Sequence, residues 1–256
     1  SSIKLLDLSD LNSISFYLNK IKPSIIINCA AYTNVDEAEE KPYLADLINH
    51  KAIDTISKWT SFNKIKLIHI STDYVFDGLS ATPLTETSIT DPVNEYGRSK
   101  LKGEQACLNN DPNSIIIRTS WLYSSFGNNF VKTMIRLMKA NSSVKVVNDQ
   151  IGSPTYSKDL AMVIIDIIEN YNTESGLFHY SNEGEISWFE FAKSINEIYG
   201  LSSEIIAVST NEFKTKAKRP KYSLLNKSKI KKTFNLDIPN YKQSLEDCIK
   251  VIKNEA

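Results

Sequence analysis

The sequence has few of the residues that build disulfide frameworks or metal sites. Its three cysteines and three histidines are widely scattered: Cys29, Cys107, Cys248, His50, His69 and His179. The cysteines are odd in number, and neither residue type shows the spacing of a metal-ligand set. We therefore expect no disulfide framework and no metal bound by these side chains, and the expected compartment is a reducing cytoplasm.

An excess of charge and a long hydrophobic run are lacking as well. Thirty Lys and Arg residues balance thirty Asp and Glu residues. A chain without net charge lacks the broad basic surface of a nucleic-acid-binding protein. The longest apolar runs, such as residues 25–27 and 161–165, are far too short to cross a bilayer. We therefore expect neither a nucleic acid nor a membrane as a partner.

Glycine is scarce and comes late. The first of the eight glycines is Gly78. A dinucleotide-binding α/β fold normally opens with a strand, a glycine-rich turn and a helix whose N-terminus receives the pyrophosphate. No part of this sequence has that pattern. Because the first strand of such a fold is central, we expect that an N-terminal βαβ segment of about 30 residues is absent from this sequence.

The remaining pattern alternates strands with helices, which predicts an α/β fold with a doubly wound parallel sheet. Residues 24–29 form a continuous apolar run, as in a strand that is buried on both faces. The predicted strands are residues 3–6, 24–29, 65–71, 114–119, 144–147, 177–180 and 204–208. The predicted helices are residues 10–20, 42–59, 95–108, 129–139, 157–170, 188–199 and one from about 243. We predict a dinucleotide-binding domain over residues 1–150 and a small substrate-binding lobe, interleaved with it, over residues 151–256.

Tyr96 and Lys100 are the first candidates for catalysis. Four residues apart on a predicted helix, both can reach one bound group. A lysine ammonium nearby is expected to lower the phenol pKa of the tyrosine and to hold a ribose hydroxyl. The spacing alone has no weight, because composition predicts about one Tyr-x-x-x-Lys by chance.

Their context gives the pair its weight. Ser71 and Thr72 end a predicted buried strand, where open α/β sheets bind ligands, and a hydroxyl there can steady a developing alkoxide. Ala30 and Ala31 follow the preceding strand, where they either admit a flat cofactor or allow tight helix–strand packing. Asp7 also follows a predicted strand, where it either meets an adenosine or caps a helix.

These stretches resemble the extended short-chain dehydrogenase/reductases and, within them, the dTDP-4-dehydrorhamnose reductases. Ser-Thr-Asp-Tyr-Val-Phe at residues 71–76, followed by Tyr-Gly-x-Ser-Lys at residues 96–100, is specific to this branch. The other matching stretches are residues 7–8, 28–33 with Val35, Asp36 and Glu39, Gly103 with Glu104, 118–123, 127–130, 148–150 with Gly152, 154–155, and Arg219 with Pro220 and Ser223. The resemblance implies a Rossmann-type sheet with a small C-terminal substrate-binding lobe.

The resemblance also implies roles for individual residues. Tyr96 would donate a proton to the C4 oxygen of a keto sugar, Lys100 would hold the nicotinamide ribose, and Thr72 would contact the keto group. The remaining positions match cofactor contacts, namely Asp7, Leu8, Ala30, Ala31, Tyr32 and Thr33, or substrate contacts, namely Asp73 and Trp121. Trp121 has the alternative of a core position, Tyr74 is expected in a pocket wall, and Arg219 lies either in a solvated basic loop or near the substrate.

The implied reaction is the reduction of dTDP-4-dehydro-β-L-rhamnose to dTDP-L-rhamnose by NADPH or NADH. A sister reductase for another nucleotide-linked 4-keto-6-deoxysugar is one alternative. The other is a non-catalytic cofactor-binding regulatory subunit, such as that of methionine adenosyltransferase. Relatives of this kind pair into homodimers, some with Mg²⁺ at the interface. The residue that selects NAD or NADP is expected in the glycine-rich opening, which this sequence does not contain.

Overall fold

The computed structural model describes residues 6–170 and 173–254. The helices are α1 (Leu11–Ile21), α2 (Val35–Glu40), α3 (Pro42–Asp46), α4 (Ala52–Asn63), α5 (Glu95–Asn110), α6 (Phe130–Ala140), α7 (Ser157–Asn170), α8 (Trp188–Tyr199), α9 (Ser228–Phe234) and α10 (Tyr241–Asn254). The strands are β1 (Ile25–Asn28), β2 (Lys66–Thr72), β3 (Ile115–Thr119), β4 (Leu122–Tyr123), β5 (Ser143–Val147), β6 (Ile151–Gly152), β7 (Thr155–Tyr156), β8 (Gly176–His179), β9 (Ile186–Ser187) and β10 (Glu204–Val208). Residues 3–5 of the first predicted strand lie outside the described residues, and Leu6 and Asp7 are not part of a strand.

The central sheet is parallel and has the order β1-β2-β3-β8 in the described part of the chain. Ile115, Ile116 and Ile117 of β3 are all completely buried, as expected for a strand with helices on both faces. The same prediction is wrong for β1. This strand pairs only with β2 among the described strands, and Ile27 remains 44% exposed.

The helices begin where the sequence provides caps. Asp10 accepts a hydrogen bond from the backbone N–H of Ser13 at the start of α1. The predicted helix over residues 42–59 begins as expected at Pro42, but a π-helical turn (Leu47–Lys51) separates α3 from α4. This turn contains the buried Asn49, which is taken up below. No described helix is long and apolar enough to cross a membrane.

Two of the packing regions alternate along the chain. The sheet region buries one face of the central sheet under α7 and α9, with Ile117, Ile164 and Phe234 in its core. The lobe region packs α6, α8 and α10 with the β5–β10 pair. Because α6 and β5 precede residue 150 whereas α7, β8 and α9 follow it, the regions interleave. The division at residue 150 stays a prediction.

Candidate active site

Thr72 and Tyr96 meet where β2 ends and α5 begins. β2 ends at Thr72, whose hydroxyl oxygen accepts a hydrogen bond from the backbone N–H of Tyr74, 3.2 Å away. Tyr96 is the second residue of α5. Burial raises the pKa of Tyr96 to about 12, and a hydrogen bond with Thr72 acts in the opposite direction. The structure therefore brings together two of the three residues predicted to be catalytic.

The start of α5 is held tightly against the turn after β2. Asn94 caps the helix, because its side-chain oxygen accepts a hydrogen bond from the N–H of Gly97 at 2.8 Å. A Cβ at Gly97 would collide with the carbonyl oxygen of Tyr74, so only glycine allows this approach. The rings of Tyr74 and Tyr96 consequently meet edge to face, with their centroids 5.6 Å apart.

Lys100 lies one turn further along α5 and is 2% exposed. Its ammonium donates a hydrogen bond to the carbonyl oxygen of Ile70 at 2.6 Å and lies 3.5 Å from Nε2 of His69. Burial lowers the pKa of Lys100 to about 8. Since an ammonium has three N–H donors, one remains for a bound hydroxyl group.

The expectation that Lys100 gives Tyr96 a lowered pKa is wrong for this structure. The sequence predicts a lowered pKa, whereas burial raises it, and the negative charge of Asp73 adds to the rise. The phenol is therefore protonated at neutral pH. This state suits a group that donates a proton.

Asp73 is a buried carboxylic acid beside these residues. It is 2% exposed, and its Oδ2 has no hydrogen-bond partner within residues 6–170 and 173–254. Burial raises its pKa to about 6, while Ser223 and Thr72 act in the opposite direction. A polar atom that is buried without a partner costs free energy, so this position is favourable for a ligand that provides a donor.

We predict that Asp73→Asn stabilises the protein at pH 7.5. The native pKa of Asp73 lies above the ordinary value of 3.8, so between about pH 3.8 and pH 6 its carboxyl group binds a proton more fully in the native state than in the unfolded state. The native state therefore loses stability as the pH rises through this range. Above about pH 6 the native carboxyl group is ionised, and the full free-energy cost of its buried charge is present. Its removal should raise the free energy of unfolding by up to about 3 kcal/mol at pH 7.5 and by about half as much at pH 5.

Urea unfolding of both proteins at the two pH values measures the difference. Asp77→Asn is the matched control, because its carboxylate is only half-buried in the same loop. A gain that is equal at both pH values would contradict the prediction.

Asn49 holds the loop after β1 against α5. Its side-chain oxygen accepts a hydrogen bond from the N–H of Tyr32 at 2.8 Å. Its side-chain nitrogen donates to the carbonyl oxygen of Tyr32 at 3.1 Å and to the hydroxyl of Ser99 at 2.9 Å. No sequence pattern pointed to this residue, because a π-helical turn has none that separates it from an α-helix.

Four of the residues predicted to contact the cofactor, residues 30–33, follow the carboxyl end of β1. Ala30 and Thr33 are exposed, and Ala31 and Tyr32 are half-buried. Asp7 is exposed, and hydrogen bonds from the hydroxyl and the N–H of Ser9 lower its pKa. The helix cap is Asp10, so Asp7 does not have the capping role that was its alternative. Contact between these residues and a cofactor stays a prediction.

A cavity of about 330 Å³ opens beside Tyr74 and is enclosed by α6, β5 and the loop before α9. Its walls combine aromatic and aliphatic side chains with two cations: Tyr74, Phe130, Thr133, Met134, Leu137, Lys145, Val146, Val147, Gln150, Trp188, Phe213, Thr215 and Arg219. Tyr74 lies in the wall, as predicted. The sequence did not identify most of the others, since they come from distant elements and share no motif.

A second tryptophan, Trp188, connects Trp121 to this cavity. Trp121 stacks on Trp188 with centroids 3.7 Å apart, and Trp188 contributes to the wall. A Cβ on Gly152 would lie 3.0 Å from the indole of Trp121, so the absence of a side chain there makes room for the ring. Contact between Trp121 and a sugar stays a prediction.

Arg219 is held in the cavity wall by Asp36. Its guanidinium donates a hydrogen bond to Oδ2 of Asp36 at 2.7 Å, and the N–H of Ala217 donates to Oδ1 at 2.9 Å. The hydrogen bond from Arg219 is the main reason why the pKa of Asp36 is lowered. Arg219 therefore has a fixed position in the cavity wall and is not part of a solvated loop.

The described residues contain no cluster of three or more His, Cys, Asp or Glu side chains that could hold a metal ion. The chemical groups that the described residues bring to this site are hydroxyl, ammonium and carboxyl groups. Two hydroxyls face each other at a strand end, a buried ammonium lies one turn away, and a mostly apolar cavity adjoins them.

Comparisons with known proteins agree with this arrangement. The family described as RmlD substrate binding domain matches residues 2–254. The dTDP-4-dehydrorhamnose reductase of Sinorhizobium fredii is 39% identical over 247 residues, which cover 93% of this chain and 83% of the relative.

Two crystal structures superpose on nearly the whole chain. The dTDP-4-dehydrorhamnose reductase of Clostridium acetobutylicum has a TM-score of 0.93 at 39% identity and covers 97% of this chain and 88% of its own. The enzyme of Bacillus anthracis, solved in complex with NADP, has a TM-score of 0.93 at 41% identity, with 98% and 89% covered. The resemblance and the Rossmann-type fold predicted from the sequence are thus confirmed, and the chain belongs to the dTDP-4-dehydrorhamnose reductase family.

Proposed function

We propose that this protein reduces the 4-keto group of dTDP-4-dehydro-β-L-rhamnose to give dTDP-L-rhamnose, with a nicotinamide cofactor as the reductant. The observation that carries the proposal is the pairing of Thr72 with Tyr96 at the carboxyl end of β2, with the buried ammonium of Lys100 one turn away on α5. Such an edge is where open α/β sheets bind their ligands. Membership of the reductase family supports the same reaction.

In this reaction Tyr96 is the proton donor. The nicotinamide cofactor, when bound, would supply the hydride for C4 of the sugar. The phenol of Tyr96, protonated because of its raised pKa, gives its proton to the C4 oxygen and becomes a phenolate. The hydroxyl of Thr72 donates a hydrogen bond to the same oxygen while negative charge develops on it. Lys100 holds the ribose with its remaining donor.

The cavity beside Tyr74 is the proposed site for the nucleotide part of the substrate. Phe130, Trp188 and Phe213 offer aromatic surface to a base, while Arg219 and Lys145 offer positive charge to a diphosphate. Tyr74 connects the two sites, since it lies in the cavity wall and contacts the ring of Tyr96. The sugar would then lie between the nucleotide and Thr72, beside Asp73 and Trp121.

We further propose NADPH as the cofactor, with NADH as the alternative, because the Bacillus anthracis relative was solved with NADP. Asp7, Leu8, Ala30, Ala31, Tyr32 and Thr33 would hold it on the protein side. A homodimer, with or without Mg²⁺ at its interface, and a cytoplasmic location are further proposals that rest on the resemblance.

The test supplies the full-length protein with dTDP-4-dehydrorhamnose and with either NADPH or NADH. Oxidation of the cofactor is measured by its absorbance. We expect oxidation that depends on the sugar nucleotide and a product that co-migrates with dTDP-L-rhamnose. A panel of other nucleotide-linked 4-keto-6-deoxysugars is the control for a sister reductase. A higher kcat/KM with one of these sugars would refute the proposed substrate, and the absence of turnover with all of them would refute the reaction.

A further inference from the structure

The inward face of α5 continues beyond Lys100 to a second charged residue. Glu104 follows Lys100 by one helical turn, so the two side chains share a face of the helix. Glu104 and Arg118 of β3 are 2% and 3% exposed, respectively. A buried carboxylate and a buried guanidinium are costly unless they are paired and hydrogen-bonded.

Glu104 and Arg118 form such a pair. Nε of Arg118 donates a hydrogen bond to Oε1 of Glu104 at 2.9 Å, and Nη2 donates to Oε2 at 2.6 Å. The hydroxyl of Ser71 donates to Oε1 of Glu104 at 2.5 Å. Ser71 directly precedes Thr72, so Glu104 connects the helix of Tyr96 and Lys100 to the strand end that presents Thr72.

The groups that surround Lys100 differ in their effect on its charge. The titratable and charged side chains that face it, or face its partners, are Tyr96, Glu104 and Cys107 on α5, His69 on β2, Arg118 on β3 and Cys29 after β1. His69 is kept neutral, because burial and the charge of Lys100 hold its pKa well below the ordinary value. Among these side chains, Glu104 is a carboxylate that is fixed in place by its ion pair with Arg118.

We propose that Glu104 is a positioning residue that acts as the counter-charge of Lys100 and, together with Arg118 and Ser71, fixes the catalytic helix to the end of β2. The kinetic part of this proposal rests on the proposed function, whereas its electrostatic part does not. Burial lowers the pKa of Lys100 to about 8, and the charge of Glu104 opposes that decrease more than any other group. Without Glu104, Lys100 would lose its proton at a lower pH.

Glu104→Gln tests the proposal, because it removes the charge while keeping the shape and an oxygen that can accept hydrogen bonds. The first measurement is the ¹⁵N NMR titration of Lys100 in lysine-labelled protein, with Lys100→Met to assign the signal. We expect the midpoint to decrease by about 1 pH unit, as is typical when a nearby opposite charge is removed. Glu104→Asp, which keeps the charge, should restore most of the shift.

Glu95→Gln is the matched control. It removes a carboxylate from the same helix, but one that is half-exposed and paired with Arg98. The midpoint of Lys100 should not change in this variant. Should Glu104→Gln fail to fold, the double variant Glu104→Gln/Arg118→Met removes both charges, and the midpoint should still decrease because Glu104 lies on the same helix face as Lys100.

The second measurement is the pH dependence of kcat/KM for the keto sugar. The alkaline limb of the profile should move to lower pH in Glu104→Gln by the same amount as the NMR midpoint. A purely structural role would lower activity at all pH values without this movement. An unchanged NMR midpoint in Glu104→Gln, or an equal decrease in Glu95→Gln, would overturn the proposal. If the wild-type protein does not turn over the sugar, the proposed function fails, and the NMR titration still decides the role of Glu104.

Discussion

Tyr96→Phe is expected to lower kcat by about 10²- to 10⁴-fold, which is the usual contribution of a positioned proton donor. The substitution removes only the phenol hydroxyl, whose described interaction is with Thr72. The ring and its edge-to-face contact with Tyr74 remain. We therefore expect the Tm and the Kd for the cofactor to stay close to those of the wild type. Single-turnover kinetics with saturating cofactor would measure the chemical step directly.

The matched control for this prediction is Tyr74→Phe. Both tyrosines are half-buried, both have a raised pKa and their rings touch, but only Tyr96 has its side-chain hydroxyl paired with Thr72. Burial is also the main cause of the raised pKa of Tyr74. A change in Tyr74 should affect KM for the sugar nucleotide more than kcat, because its hydroxyl lies toward Arg219. A Tyr96→Phe variant with wild-type kcat would remove Tyr96 from the mechanism.

Arg118→Met is expected to lower the free energy of unfolding by about 3–5 kcal/mol, the range observed when one member of a buried ion pair is removed. The substitution leaves Glu104 buried, with Ser71 as its remaining hydrogen-bond donor. It also removes the guanidinium that lies 5.0 Å from the centroid of the Phe76 ring. Chemical unfolding at pH 7.5 would measure the loss.

Two controls separate the unpaired charge from the change in packing. Glu104→Gln/Arg118→Met has no charge at either position, so it should recover a large part of the lost stability. Arg136→Met replaces an exposed arginine on α6 and should change the free energy of unfolding by no more than about 0.5 kcal/mol. If the double variant were as unstable as Arg118→Met, the loss would have to be assigned to packing.

The elements with strong local signals were predicted closely. The sequence indicated α7 and α8 with the bounds that the structure has, since apolar residues recur there at helical spacing. The placement of Thr72, Tyr96 and Lys100 at the end of β2 and on α5 was also predicted, because they belong to motifs at strand and helix ends, whereas their catalytic roles stay a prediction. Helix α9 was missed, because a segment of seven residues rich in lysine carries a weak periodic signal.

Properties that depend on the surroundings could not be predicted. The pKa of Tyr96 follows from its burial, which the spacing to Lys100 does not reveal. The exposure of Ile27 depends on what packs against β1, which its apolar sequence does not reveal. The cavity wall is assembled from α6, β5, α8 and a loop that are distant in sequence, and Arg219 gains its place there only through Asp36.

The alternation of the chain between the sheet region and the lobe region has a consequence for how the protein can be divided. After β3 in the sheet region, the chain enters the lobe region with α6 and returns to the sheet region with α7. It enters the lobe region again with α8, returns to the sheet region with α9 and ends in the lobe region with α10. A cut near residue 150 divides the cores of both regions. A protease nick near residue 150 should therefore leave a complex held together by both cores, and neither fragment should fold when it is produced alone.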